Sequence, residues 1–349
     1  MLDWIGMDIG GANIKLCNTR GYARSKSFPL WKYPDRLGVE IGKLLEQAPG
    51  FDAVALTMTG ELADCYSTRE EGVCRILEQL TSVFPASRTR VYSVNGEWLS
   101  PSAAGRAPWT VAASNWHALA SLAVRWLDGK SGLLIDIGST TCDILPLEKN
   151  RVVTDSRTDS DRLLRGQLVY TGVRRTPMCA VVKTLPFQGV ECPVMAELFA
   201  TMDDAYVVTG EVAEDASDCD TADGRARTKE FARSRLARMI GEDATTLSVR
   251  ELEQMAHFAI DQQAEMVGQA IRRNLEQLKS KPEVAIFSGH ADFLIERSLQ
   301  YAKWKPRTIK LSEVLSESLA RCAPAYAVAM LASESQVANR LEIASERAV

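Results

Sequence analysis

Trp4-Ile5-Gly6-Met7-Asp8-Ile9-Gly10-Gly11-Ala12-Asn13-Ile14-Lys15-Leu16-Cys17 is an apolar run that ends in an aspartate, breaks on two glycines and resumes with alternating apolar residues. That pattern predicts a β-hairpin with a glycine-rich turn. Glycines in such a turn let backbone N–H groups approach a ligand with no Cβ in the way. Asp8 at the strand end suits a divalent cation, held directly or through water, and Lys15 adds a positive charge. With Gly10, Gly11 and Asn13 in the turn, the set points to phosphate plus Mg²⁺.

The design recurs in Gly132-Leu-Leu-Ile-Asp136-Ile-Gly138-Ser139-Thr140-Thr141-Cys142-Asp143-Ile144. Asp136 and Asp143 join Asp8 as candidate metal ligands, and Gly138, Ser139, Thr140 and Thr141 as candidate phosphate contacts. One such hairpin is also what an ordinary core sheet contains. Two with the same Asp-Ile-Gly predict a duplicated architecture with one ligand clamped between the halves.

The 349 residues suffice for two domains with full cores. Hydrophobic content of 46% and charged content of 25% are ordinary for a soluble globular protein. A formal charge of −4 and no basic block give no footing for nucleic acid. The eight cysteines form no CxxC pair, and Met1-Leu2-Asp3 leads straight into the first strand, so reduced thiols and a cytoplasmic location are expected. No apolar run approaches the ~18 residues of a membrane span. The three histidines are dispersed and HExxH is absent, which disfavours a histidine-rich metal site and leaves oxygen-ligated Mg²⁺ open.

Along the chain, Phe51–Thr57 reads as a buried strand ending at Met58-Thr-Gly-Glu61-Leu-Ala-Asp64. Ligands gather at strand ends in α/β sheets, so Glu61 and Asp64 are candidate site carboxylates; acids beginning a helix are the alternative. A proline- and glycine-containing loop is expected up to Pro108, then one long helix over Val111–Leu127. Arg174 and Arg175, on a loop between glycine and proline, suit bidentate phosphate or carboxylate, or form a solvated pair. Tyr206–Thr209 reads as a strand, and Asp215–Arg227 as a surface loop whose Asp218, Asp220 and Asp223 face water. Ser288-Gly289-His290 follows another strand. Walker A, GxGxxG and GxSxG motifs are all missing.

Asp8–Lys15, Met58–Tyr66, Asp136–Asp143 and Tyr170–Cys179 resemble a hydantoinase/oxoprolinase-related group within the actin, sugar kinase and heat-shock ATPase superfamily. The resemblance runs from the first strand to the last helix. It implies an α/β fold of two ribonuclease-H-like domains flanking a cleft, over 1–122 and 123–349. The second would carry an insertion at 155–275, and the final helix, 322–335, would pack back on the first. Superfamily sugar kinases often carry Asn-Asp where this chain has Asn115-Trp116, and tryptophan cannot accept a proton. The adenosine-loop position holds a single glycine in Ser288-Gly289-His290. Those three residues and Asn115 are candidate nucleotide or substrate contacts, and ATP is left open.

For activity, the resemblance implies a synthase of methanofuran-type coenzyme biosynthesis, serving tetrahydromethanopterin-dependent one-carbon metabolism. It would join an aminomethylfuran diphosphate to the phenol of a (glutamyl)tyramine and release diphosphate, with Glu61 or Asp64 taking the phenolic proton. Its partners would be the diphosphate donor and the phenolic amine acceptor; a homo-oligomer is compatible. ATP-dependent phosphoryl transfer or ring opening is the alternative, and a nucleotide sensor or scaffold without chemistry is a third reading.

Overall fold

The computed structural model describes residues 2–289 and 291–335, so His290 and the polar tail lie outside the described residues. β1 (Trp4–Ile9) and β2 (Asn13–Asn18) form the first hairpin, antiparallel, with Asp8 opposite Lys15. β3 (Ala23–Ser27) pairs antiparallel with β2. β4 (Ala53–Met58) and β5 (Thr89–Tyr92) run parallel on the other side of β1, and β6 (Trp98–Leu99) closes that edge. β1 and β4 are buried along their whole length, which is why each reads as a near-continuous apolar run.

The second hairpin is β7 (Ser131–Ile137) and β8 (Cys142–Glu148), with Asp136 opposite Asp143. A short β9 (Arg151–Val152) and β10 (Leu168–Val169) both pair antiparallel with β8. β11 (Thr184–Phe187) and β12 (Val190–Pro193) make a separate small hairpin. β13 (Pro282–Gly289) and β14 (Arg307–Lys310) continue parallel from β7. The orders β3-β2-β1-β4-β5 and β10-β8-β7-β13-β14 correspond strand for strand, in sequence and in direction. Between β12 and β13, the helices Met202–Thr209, Lys229–Arg238 and Val249–Leu275 build a third apolar core around Tyr206, Leu236 and Met255. The last helix, Ala323–Glu334, lays Ala327, Val328 and Ala332 against Trp4, Ala53 and Ala55 of the first sheet.

Several expectations fail for local reasons. The long helix over Val111–Leu127 is broken: Ala112 is extended, Ala113 is left-handed at φ 48°, and the helix restarts at Asn115 and runs to Ala123. The expected loop before it contains two short helices, Pro101–Arg106 and Pro108–Val111, because proline at the first helical position loses no hydrogen bond there. Tyr206–Thr209 is helical, not extended. A capping box of Thr201 and Asp204 starts that helix and left-handed Gly210 ends it. Asp215–Arg227 is a loop, but its acids do not all face water. Asp223 accepts from Arg225 and from the fully buried Arg235, and Asp218 accepts from Arg174. Only Asp220 of the three is open to solvent.

Candidate active site

Both hairpin turns close in the same way. Gly10 N–H donates to the Asn13 carbonyl at 2.9 Å, and Gly138 N–H donates to the Thr141 carbonyl at 2.9 Å. Both turns border a single cleft of about 780 Å³ between the two sheets. Gly10, Gly11, Asn13 and Lys15 line one wall; Gly138, Ser139, Thr140 and Thr141 line the other. The second turn rests on Gly172, where a Cβ would meet the Thr140 nitrogen at 2.5 Å and the Gly138 carbonyl oxygen at 2.6 Å. A side chain there has no room, so Gly172 lets the loop sit where it does.

The carboxylates fall into two kinds. Asp8 is buried, and its Oδ1 has no hydrogen-bond partner among the described residues; its Oδ2 lies 4.0 Å from Lys15 Nζ. Burial raises its pKa, Lys15 pulls the other way, and Asp136 adds to the rise. Asp143 occupies in the second hairpin the register position of Lys15 in the first, and the missing cation comes from elsewhere. Arg162 binds the Asp143 carboxylate and also donates to Asp159 at 2.6 Å, with its guanidinium over the Trp116 ring. Asp143 titrates near 6, pushed up by burial against the pull of Arg162, with Asp136 and Asp159 adding to the rise. Engaged in this way, it is poorly disposed to ligate a metal. Among the described residues no three or more His, Cys, Asp and Glu side chains cluster as a metal site. Asp8 and Asp136 both border the cleft, and the charge of Asp136 is felt at Asp8.

Glu61 and Asp64 both border the cleft, with different surroundings. Asp64 is exposed; Glu61 is 1% exposed, and neither of its oxygens has a well-formed hydrogen bond. Burial lifts the Glu61 carboxyl to about 7, opposed by its own amide, Arg69 and the Ala113 amide. Glu61 sits on a single turn, Gly60–Leu62, after β4. The helix Arg69–Thr81 is pressed onto its backbone at Gly72, where any Cβ would overlap the Glu61 carbonyl. Left-handed Ala113 brings its amide to the same carboxyl. Strain of this kind at a non-glycine residue is typical of functional sites.

The two arginines of the 170s part company. Arg175 lines the cleft, its guanidinium 5.2 Å from the Trp31 ring of the opposite half. Arg174 does not line it and donates to Asp218 at 2.6 Å, so an acidic side chain takes the place proposed for phosphate. Asn115 borders the cleft, its Oδ1 accepting from the Trp116 N–H at 2.7 Å. Ser288 and Gly289 border it too, but Gly289 has φ 93° and a Cβ there would strike the Ile137 carbonyl. Packing between β13 and β7 therefore already explains that glycine. His290 lies outside the described residues. His117, packed beside Tyr92 with its pKa lowered to about 4 by burial, is a core histidine.

Arg69, Asp159, Arg162, Trp31 and Ala113 escaped the sequence reading. They meet only in space, and no local motif marks them.

The match to the hydantoinase/oxoprolinase model spans residues 52–335. The chain belongs to the hydantoinase/oxoprolinase family. One curated relative of this family member, from Methanocaldococcus jannaschii, is 32% identical over 333 residues, covering 94% of this chain and 96% of the relative. It is named (4-{4-[2-(gamma-L-glutamylamino)ethyl]phenoxymethyl}furan-2-yl)methanamine synthase. A protein of the same name from Methanococcus vannielii is 31% identical over 122 residues, 35% of this chain and 54% of that one. Among solved structures, a nucleotide-free acetone carboxylase superposes with a TM-score of 0.57 at 10% identity, covering 94% of this chain and 70% of its own. That likeness concerns the fold alone, a mixed α/β architecture. Among the described residues no helix is long and apolar enough to cross a membrane.

Proposed function

We propose that this chain is a transferase-type synthase of methanofuran-type coenzyme biosynthesis, joining an aminomethylfuran diphosphate to the phenol of a (glutamyl)tyramine. The observation that carries the reading is 32% identity to the M. jannaschii synthase across nearly the whole of both chains. The cleft chemistry agrees with it. In the reaction the phenol oxygen bonds to the furan methylene carbon, and the bond from that carbon to the diphosphate oxygen breaks. The electron pair leaves on diphosphate and the phenolic proton passes to Glu61. A carboxylate titrating near 7 is well matched to that task at neutral pH. Asp64, exposed on the rim, is the weaker candidate.

Turn N–H groups at Gly10–Asn13 and Gly138–Thr141, with Lys15 and Arg175, receive the charge building on the departing group. The donor set fits Mg²⁺: Asp8 has a buried, unpartnered oxygen beside Asp136, and Mg²⁺ commonly takes one or two carboxylates plus phosphate and water. Asp8 and Asp136 would hold it, and when bound it neutralises diphosphate charge. In this reading the two corresponding sheets are ribonuclease-H-like domains over 1–122 and 123–349 in a cytoplasmic enzyme; the insertion expected at 155–275 would begin only after β10 (Leu168–Val169), which is a strand of the second sheet. A dry cleft between them suits the chemistry, because water would capture an activated furfuryl carbon.

A second reading, ATP-dependent chemistry in the same cleft, draws on the fold shared with an acetone carboxylase whose carboxylation is described as ATP-dependent. One assay separates the two. The protein with Mg²⁺, aminomethylfurfuryl diphosphate and glutamyltyramine should give ether and diphosphate in equal amounts by mass spectrometry. Glu61→Gln should lower the rate roughly 10²–10⁴-fold. ATP hydrolysis with no ether formed would reject the synthase.

A further inference from the structure

One charged residue bridges the cleft beside Glu61. Arg69 comes from the first turn of the helix Arg69–Thr81, and its Nη2 donates to Asp159 Oδ2, in the other half of the chain, at 2.8 Å. Its Nε stands 4.0 Å from Glu61 Oε1. The Arg69 side chain is 12% exposed and its guanidinium lies over the Trp109 ring. The far side of Asp159 is held by Arg162, which is itself fixed on Asp143 and Trp116. The result is an alternating series, Glu61, Arg69, Asp159, Arg162, Asp143, running from one wall of the cleft to the other. The site as described uses only its first member, Glu61.

From this geometry we propose that Arg69 is a positioning residue whose sharing between Glu61 and Asp159 sets the basicity of Glu61. The inference deepens the synthase reading and rests on it where turnover is concerned. Its physical basis is competition for one guanidinium. A cation at about 4 Å favours the carboxylate form, and the more fully Asp159 engages that cation, the less Glu61 feels it. Asp159 also opposes ionisation of Glu61 directly, as a nearby like charge. Removing Arg69 should therefore raise the pH at which Glu61 loses its proton, and neutralising Asp159 should lower it. A residue that merely braces the cleft gives no reason for shifts of opposite sign. The Glu61 and Ala113 amides also reach the carboxyl, and Asp8, Lys15, Asp64, Asp136, Asp143, Arg162, Arg175 and Arg321 carry the other charges of the cleft wall. None of these residues is itself altered in either variant; Arg162, which also donates to Asp159, loses that carboxylate in Asp159→Asn.

The test is a titration of Glu61 by infrared difference spectroscopy in the full-length protein, its band assigned by loss in Glu61→Gln. It is followed in wild type, Arg69→Gln, Asp159→Asn and Arg69→Lys, alongside the pH profile of kcat/KM with the furfuryl diphosphate donor. Arg69→Gln should move the midpoint up by about one pH unit or more and Asp159→Asn should move it down. Arg69→Lys, which keeps the charge, should lie near wild type and serves if the glutamine variant folds poorly. Shifts of the same sign, or none, overturn the proposal. If the infrared midpoints move oppositely while the acid limb of kcat/KM stays fixed, the coupling stands and Glu61 is not the base.

Discussion

Glu61, the proposed base, is a buried carboxylate. Its ordinary pKa of 4.5 is raised to about 7 in the folded protein, so folding holds a proton that the unfolded chain would release. Stability from this group is full below about pH 4.5 and is lost as pH rises through 7. Glu61→Gln should thus gain roughly 1–3 kcal/mol over wild type at pH 8 and little at pH 5, measured by urea unfolding at both. An equal effect at the two pH values would mean that the carboxyl is not held in its neutral form. A gain in stability with a loss of turnover is the usual signature of a desolvated catalytic group. The sequence singled out Glu61 from its place at a strand end, but gave no reason to rank it above Asp64. The ranking comes from the Gly72 contact and the turn at Ala113, neither of which a local pattern records. Arg174 shows the converse. Its motif suits phosphate, yet the loop carrying Asp218 folds back to pair with it.

At the level of elements, both hairpins were legible because everything that makes them is local: apolar run, acid, small residues, apolar run. Helix breaks were not legible where they depend on a single backbone angle. Alanine is a strong helix former, and nothing in Ala112-Ala113 announces the left-handed turn that these two buried residues make. The helix Met202–Thr209 misled for the opposite reason, since a run of Tyr-Val-Val-Thr has strand character that its capping box overrides. The second hairpin also depends on a distant residue, Gly172. Gly172→Ala should force the Thr140 and Gly138 backbone apart, costing roughly 1–3 kcal/mol of stability, and weaken diphosphate binding by calorimetry at least tenfold. Unchanged affinity in a folded variant would show that the second turn is not part of the binding surface.

For the molecule as a whole, the repeated Asp-Ile-Gly foretold the feature that matters most, two sheets of corresponding strand order. What it could not foretell is how the halves are joined. Arg69 to Asp159 and Arg175 to Trp31 are contacts between distant segments, and only the fold brings them within reach. The same holds for the last helix, whose alanines allow close approach to the first sheet. The proposed function requires two equivalent turns on facing walls to receive one diphosphate. A crystal structure of the protein with Mg²⁺ and inorganic diphosphate tests it most directly. Diphosphate density is expected between Gly10–Asn13 and Gly138–Thr141, with Asp8 and Asp136 toward the metal. Diphosphate bound at one turn alone, or outside the cleft, would contradict it.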